Sequence, residues 1–114
     1  MIDEATFRRE SDRALEQLKQ SLIAAEDSMD EPLFETEEKN GVLNVLFEDG
    51  GAKFVFTPNT PVRQVWISAL STSFKLDWSD TANDFVFLKE SLPLKLLVTN
   101  LINQQLGSTN VSLN

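Results

Sequence analysis

Residues 61–69, PVRQVWISA, decide how the chain is read. They have the composition of a strand, and a strand sends alternate side chains to opposite faces. Val65, Ile67 and Ala69 then share one face, and Gln64, Trp66 and Ser68 share the other. The aliphatic face belongs against a core. The tryptophan stands in register with glutamine and serine, on the side turned away from it. Such a residue is either covered within the molecule, by Lys75 or a loop, or kept for a partner, since tryptophan is enriched where binding energy concentrates.

Working outward, strand signals lie on both sides. Residues 33–38 and 42–48 flank Lys39-Asn40-Gly41, and Asn-Gly between two strand-like runs is the strongest short hairpin signal. Asp49-Gly50-Gly51 leads through a second hairpin into residues 52–57, and residues 58–61 form a loop before the Trp66 strand. Residues 73–78 and 85–88 read as further strands, the first with Phe74, Leu76 and Trp78 on the core side and Lys75 and Asp77 on the outer side with Trp66.

Helical spacing brackets this region. Phe7, Ala14, Leu15, Leu18, Leu22 and Ala25, continued by Met29, recur at intervals of three, four and seven, the mark of an amphipathic helix. Asp3 or Thr6 caps its start, and it fades over residues 26–30 because Pro32 disfavours helix at Glu31. A second helix carries Leu92, Leu96, Leu97, Leu101, Ile102 and Leu106, with Ser91 as its N-cap, Pro93 in its first turn and Gly107 as its stop. Residues 108–114 are a polar tail in which Val111 and Leu113 are available to pack.

Short hairpin links imply an antiparallel sheet, and two amphipathic helices need one apolar face to cover. The expected fold is α+β: a two-layer α/β sandwich, with an antiparallel sheet of about six strands and the N- and C-terminal helices packed on one side. Residues 1–114 form one domain, and the outer face with Gln64 and Trp66 is left to solvent or a partner.

The 114 residues carry 10 Lys plus Arg against 18 Asp plus Glu, a net charge of −8. That sign disfavours nucleic acid and anionic membrane and favours cations or basic protein surfaces. With 41% hydrophobic and 25% charged residues the composition is that of a globular protein. Neither cysteine nor histidine is present. Disulfides, zinc-finger sites, thiolate-held clusters, cysteine nucleophiles and histidine-based triads are therefore excluded, and any metal must be held by oxygen. No phosphate-cradling glycine loop occurs, and no apolar run reaches membrane-spanning length. A soluble, untargeted, cytoplasmic protein is the expectation, and no nucleophile–base pair marks it as an enzyme.

The acidic residues gather in one region. Glu26, Asp27, Asp30 and Glu31 end the first helix, and Glu35, Glu37 and Glu38 follow on the first strand. If that strand lies beside the helix, these carboxylates converge into a ridge. Glu35 and Glu37 share its exposed face, while Glu38 alternates with Phe34 and Thr36. The ridge is either a solvated face that keeps the protein soluble or a weak site for hard cations, too convex to enclose an ion.

Residues 54–78, FVFTPNTPVRQVWISALSTSFKLDW, resemble the frataxin family. The likeness rests on Thr60-Pro61, on Gln64-Val65-Trp66, on the serine-rich turn between Ser68 and Ser73, and on Asp77-Trp78. The hairpin exit at Gly41-Val42-Leu43, the helix entry at Ser91-Leu92 and the helix–sheet–helix order extend it along the whole chain. The short start before the first helix, with no Arg-rich leader, resembles the bacterial branch. The resemblance implies a monomeric accessory protein of iron–sulfur cluster assembly, which docks on a cysteine desulfurase and its scaffold protein and modulates their output. It implies weak binding of Fe2+ and Fe3+ through Glu26, Asp27, Asp30, Glu31, Glu35 and Glu37, with no organic cofactor. Docking falls to Gln64, Trp66, Ser68, Lys75 and Asp77. Some members are described as iron stores or ferroxidases, which is the alternative reading. Lys19, Gln20 and Ile23 stand on the helix face where relatives often carry more acids, and Thr57, Pro58 and Val62 also depart from the family pattern.

Overall fold

The structure, a computed structural model, describes residues 2–48, 52–107, 111 and 113. The first helix, α1, spans Glu4–Asp27. Asp3 caps it: its Oδ1 accepts the Thr6 N–H at 2.7 Å, which satisfies one of the orphan donors of the first turn. These hydrogen bonds hold the Asp3 carboxyl below its ordinary value of 3.8. The helix ends ahead of Pro32, and the Ser28 N–H still reaches the Ala24 carbonyl at 3.1 Å.

Seven strands follow in a simple meander: β1 (Phe34–Lys39), β2 (Val42–Phe47), β3 (Lys53–Asn59), β4 (Gln64–Ala69), β5 (Thr72–Ser79), β6 (Asp84–Phe87) and β7 (Leu92–Pro93). Each pairs antiparallel with its sequence neighbour, so spatial order repeats chain order. The second helix, α2, covers Leu94–Leu106 and stops at Gly107 in the left-handed conformation (φ 69°). The expected two-layer α+β sandwich is the observed one.

The core lies between the helices and one face of the sheet. Phe7, Leu15, Leu18 and Leu22 of α1 and Leu94, Leu97, Val98, Leu101 and Ile102 of α2 meet alternate residues of the strands. Phe54, Phe56, Val65, Ile67, Leu76 and Phe85 are the innermost of these. Each such side chain contributes about 1.5–3 kcal/mol on removal from water. An edge-on aromatic pair knits the layers, Phe7 meeting Phe85 at 5.8 Å between ring centroids, and Trp78 meets Phe85 at 5.2 Å across neighbouring strands. Beyond α2, Asn103 brackets Val111, donating to its carbonyl at 3.0 Å and accepting its N–H at 3.1 Å, and Leu113 packs on the same core.

The Asn40-Gly41 hairpin forms as the sequence predicts, both residues having positive φ (54° and 78°). Four details differ. Residues 61–63 are not strand: β3 runs on through Pro58 to Asn59, and Thr60–Val62 form a 3-10 turn. Pro61 fixes φ for that turn, and Arg63 closes it in the left-handed conformation with its guanidinium Nη1 bonded to the Thr60 carbonyl. Ser91 is not a helix cap. It has φ 55° in the turn after Phe87, while Leu92 and Pro93 form the seventh strand against Val86 and Phe87. Helix α2 therefore begins at Leu94 behind Pro93, which fits there because the position needs no N–H. Ser11 is buried at 1% exposure in the apolar stripe of α1, its hydroxyl donating to the Arg8 carbonyl at 3.2 Å. The turn at Asp49-Gly50-Gly51 lies outside the described residues.

Candidate functional site

Strand alternation and register build the outer face. Trp66 stands opposite Thr57 on one side and Lys75 on the other, and Gln64 opposite Asn59 and Asp77. Residues 64, 66 and 68 point away from the core because 65, 67 and 69 fill it. These outward side chains are tied together. The Trp66 indole N–H donates to the Gln64 amide oxygen at 2.9 Å, and the Gln64 amide donates to Asp77 Oδ1 at 3.1 Å. The Lys75 ammonium lies 4.9 Å from the indole centroid, a cation–π contact worth about 0.5–1 kcal/mol at an exposed site.

Trp66 is thus half-buried rather than bare, with Lys75 over part of its ring. The four linked groups hold one rotamer ready, so a partner that covers the indole loses little entropy in ordering it. Ser68 is exposed beside them, opposite Ser73. All five sequence-predicted docking residues, Gln64, Trp66, Ser68, Lys75 and Asp77, share this patch. Val42, Leu46 and Val55 widen it as half-buried apolar neighbours on the same face.

Two lysines outside that prediction also belong to the face. Lys39 of β1 and Lys53 of β3 alternate outward with Glu35, Glu37 and Val55. On the first five strands, Lys39, Lys53 and Lys75 therefore balance Glu35, Glu37 and Asp77 on a chain of net charge −8. The alternation of residues 35–39 and 53–57 carried this signal.

The acidic residues separate. Glu26, at the end of α1, uses Oε1 to accept the Thr36 N–H at 2.9 Å, clipping the helix to the free edge of β1. Glu38 faces the helix side and pairs with Lys19 at 3.2 Å, which also reaches Glu16 at 3.8 Å. Glu35 and Glu37 are exposed on the opposite side of β1, and Asp27, Asp30 and Glu31 lie exposed where the helix ends. Among the described residues no three carboxylates come together as a metal-holding group. The two-residue period of β1 puts Glu35 and Glu37 on the face opposite Glu38. Hard oxygen donors suit iron ions, but each small set here would leave most of an ion's coordination to water.

A meander sheet backed by two helices on one side, with a pinned tryptophan on the other, defines a two-layer sandwich with a presented sheet face. The frataxin-like domain family matches residues 1–108, and the chain belongs to that family. The protein named iron-sulfur cluster assembly protein CyaY of Pseudomonas fluorescens is 28% identical over 109 residues, covering 94% of this chain and 92% of its own length. Its counterpart in Pseudomonas putida strain F1 is 31% identical over 86 residues, 74% of this chain and 77% of that one. These relatives place the chain in the bacterial branch. Among solved structures, frataxin from Psychromonas ingrahamii superposes with a TM-score of 0.77 at 15% identity, over 95% of both chains. Yeast frataxin gives 0.69 at 19% identity, over 90% of this chain and 82% of its own. Those two likenesses concern the fold.

Proposed function

We propose that this protein is an accessory of iron–sulfur cluster assembly, acting in the cytoplasm as a monomer that docks through the Trp66 face on a cysteine desulfurase and its scaffold protein. The observation that carries the reading is the pre-ordered cluster of Trp66, Gln64, Lys75 and Asp77 on an otherwise open sheet face. The names of the bacterial relatives supply the process. Cargo Fe2+ or Fe3+ binds weakly, through Asp27, Asp30 and Glu31 or through Glu35 and Glu37, with several divalent ions competing. Glu26 takes part only by releasing the Thr36 amide.

The test is sulfide release by the purified desulfurase and scaffold, with and without this protein and its Trp66→Ala variant. A change in rate that the substitution removes supports docking and gives its sign. A change that persists unaltered in Trp66→Ala overturns the assignment of the face. The alternative, oxidation of Fe2+ as an iron store, separates in the same experiment: Glu35→Gln with Glu37→Gln would suppress iron oxidation while leaving desulfurase regulation in place.

A further inference from the structure

The turn of the β1–β2 hairpin carries a chemistry that neither the Trp66 face nor the acids use. Asn40 and Gly41 are the whole of that turn, both exposed and both at positive φ (54° and 78°). Asn40 is also the one asparagine of the chain that glycine follows. A Cβ at position 41 would meet nothing within 4 Å, so the space beside the Gly41 backbone is open. Lys39 and Val42 form the last register pair of the ladder. A two-residue turn leaves the N–H of its second residue outside that ladder. Among the described residues neither the Asn40 amide nor the Gly41 N–H makes a hydrogen bond.

Other asparagines lack this combination. Asn44 is tied by its amide to the Val42 carbonyl at 3.3 Å, and Asn103 holds Val111 through both ends of its amide. Asn100 stands inside α2, where the helix fixes the backbone. Asn59 and Asn83 precede Thr60 and Asp84, whose side chains crowd the intervening N–H. Asn40, by contrast, sits at the tip of a border strand pair. Strand β1 is bonded on one side only, and such a tip opens at small free-energy cost.

We propose that Asn40-Gly41 is a self-modification site, at which water converts the asparagine to isoaspartate and unlatches the hairpin. With the turn open, the Gly41 nitrogen loses its proton to hydroxide and attacks Asn40 Cγ. The bond from Cγ to the side-chain nitrogen breaks, that nitrogen takes up a proton, and ammonia leaves a five-membered imide. Water then adds to one of the two imide carbonyls. Cleavage at Cγ gives aspartate, and cleavage at the main-chain carbonyl gives isoaspartate. One water enters and one ammonia leaves, with no oxidant or reductant. Loss of ammonia makes the change one-way. Isoaspartate places an extra methylene in the main chain and a new carboxylate beside Lys39. The turn admits only two residues at positive φ, so the lengthened backbone no longer closes the Lys39–Val42 pair. The inference stands independently of docking through Trp66.

The experiment incubates the full folded chain beside the guanidinium-unfolded chain in warm neutral buffer. Aliquots are digested with pepsin in acid, where the reaction stops. Electron-transfer mass spectrometry of residue 40 then distinguishes isoaspartate from aspartate. Residue 40 should convert before any other asparagine, with isoaspartate the larger product. Conversion should quicken as pH rises, because the Gly41 nitrogen must lose a proton. Opening of the hairpin tip should keep the folded rate within about a hundredfold of the unfolded one, whereas reaction only through global unfolding would slow it about a thousandfold or more. Asn40→Gln, which has a larger ring to close, should stay unmodified throughout. In the isoaspartyl form, amide exchange at Lys39 and Val42 should be faster than in the parent. Asn40→Asp, with the same charge and an unaltered backbone, should keep the parent's protection. A folded rate more than about a hundredfold below the unfolded one, or an isoaspartyl form whose hairpin exchanges like the parent's, overturns the proposal.

Discussion

Glu26 shows how a side chain's chemistry is redirected by its surroundings. On sequence it is one acid among several; in the fold its carboxylate is a hydrogen-bond acceptor for a strand edge. Glu26→Ala should lower stability by about 1–2 kcal/mol in urea denaturation, the range for a half-exposed bond to a charged acceptor. Glu26→Gln keeps an acceptor oxygen and should lose less than half of that. Two aspartates give opposite pH signatures. Burial raises the Asp84 carboxyl, so the folded state holds that proton more tightly than the unfolded chain does. Asp84 therefore detracts from stability once pH rises through its raised value and is neutral well below 3.8. Asp84→Asn should stabilise the protein at neutral pH, with the gain vanishing in acid. Asp3, lowered by its bonds to Thr6, contributes above its ordinary 3.8 and loses that contribution as pH falls through the lowered value. Stability curves of Asp3→Ala and the parent should accordingly converge in acid.

Among the elements, the hairpins divide into those whose turn chemistry announces them and those whose does not. Asn40-Gly41 supplies two residues tolerant of positive φ, and the strands on either side were legible from it. The β4–β5 turn makes the same demand of Leu70 and Ser71, at φ 52° and 60°, neither of which favours that conformation. Pairing of Ala69 with Thr72 imposes it, because the register of Trp66 against Lys75 fixes where the chain must reverse. Replacing the pair by Asn-Gly should raise stability by about 1–2 kcal/mol, read as a higher denaturation midpoint at unchanged slope. Ser91 and Pro93 misled for a related reason: both fit a helix start, but the sheet takes Leu92 and Pro93 first. Ser11 escaped because a serine in an apolar stripe looks like a gap, although its hydroxyl bonds its own helix. The docking face was legible because period-two alternation carries it. The roles of single acids were not legible, because neither the Glu26 bond to the Thr36 amide nor the Glu38 pair with Lys19 shows in spacing.

For the molecule as a whole, the two faces of the sheet do different work. Trp66 lies outside the core, so Trp66→Ala should change stability by no more than about 1 kcal/mol while abolishing the effect on desulfurase output. Because the outward charges of the first five strands balance, the negative excess lies elsewhere, and under the proposed docking long-range attraction to a basic partner would come from beyond the tryptophan patch. Added salt should slow association with the desulfurase without destroying the contact at Trp66 itself. Both borders of the sheet are also blunted. The border at β1 has its Thr36 amide taken by Glu26 and is lined by Glu35, Glu37 and Lys39; the border at β7 is two residues long and runs into a helix. A seven-stranded sheet with eight phenylalanines in its chain is a potential seed for fibrils, and an unguarded rim is where templating begins. The Glu26 clip is thus a safeguard against self-propagation. At concentrations of Glu26→Ala and parent chosen to give equal unfolded fractions, thioflavin fluorescence should still rise earlier in the variant, because what the substitution exposes is a template.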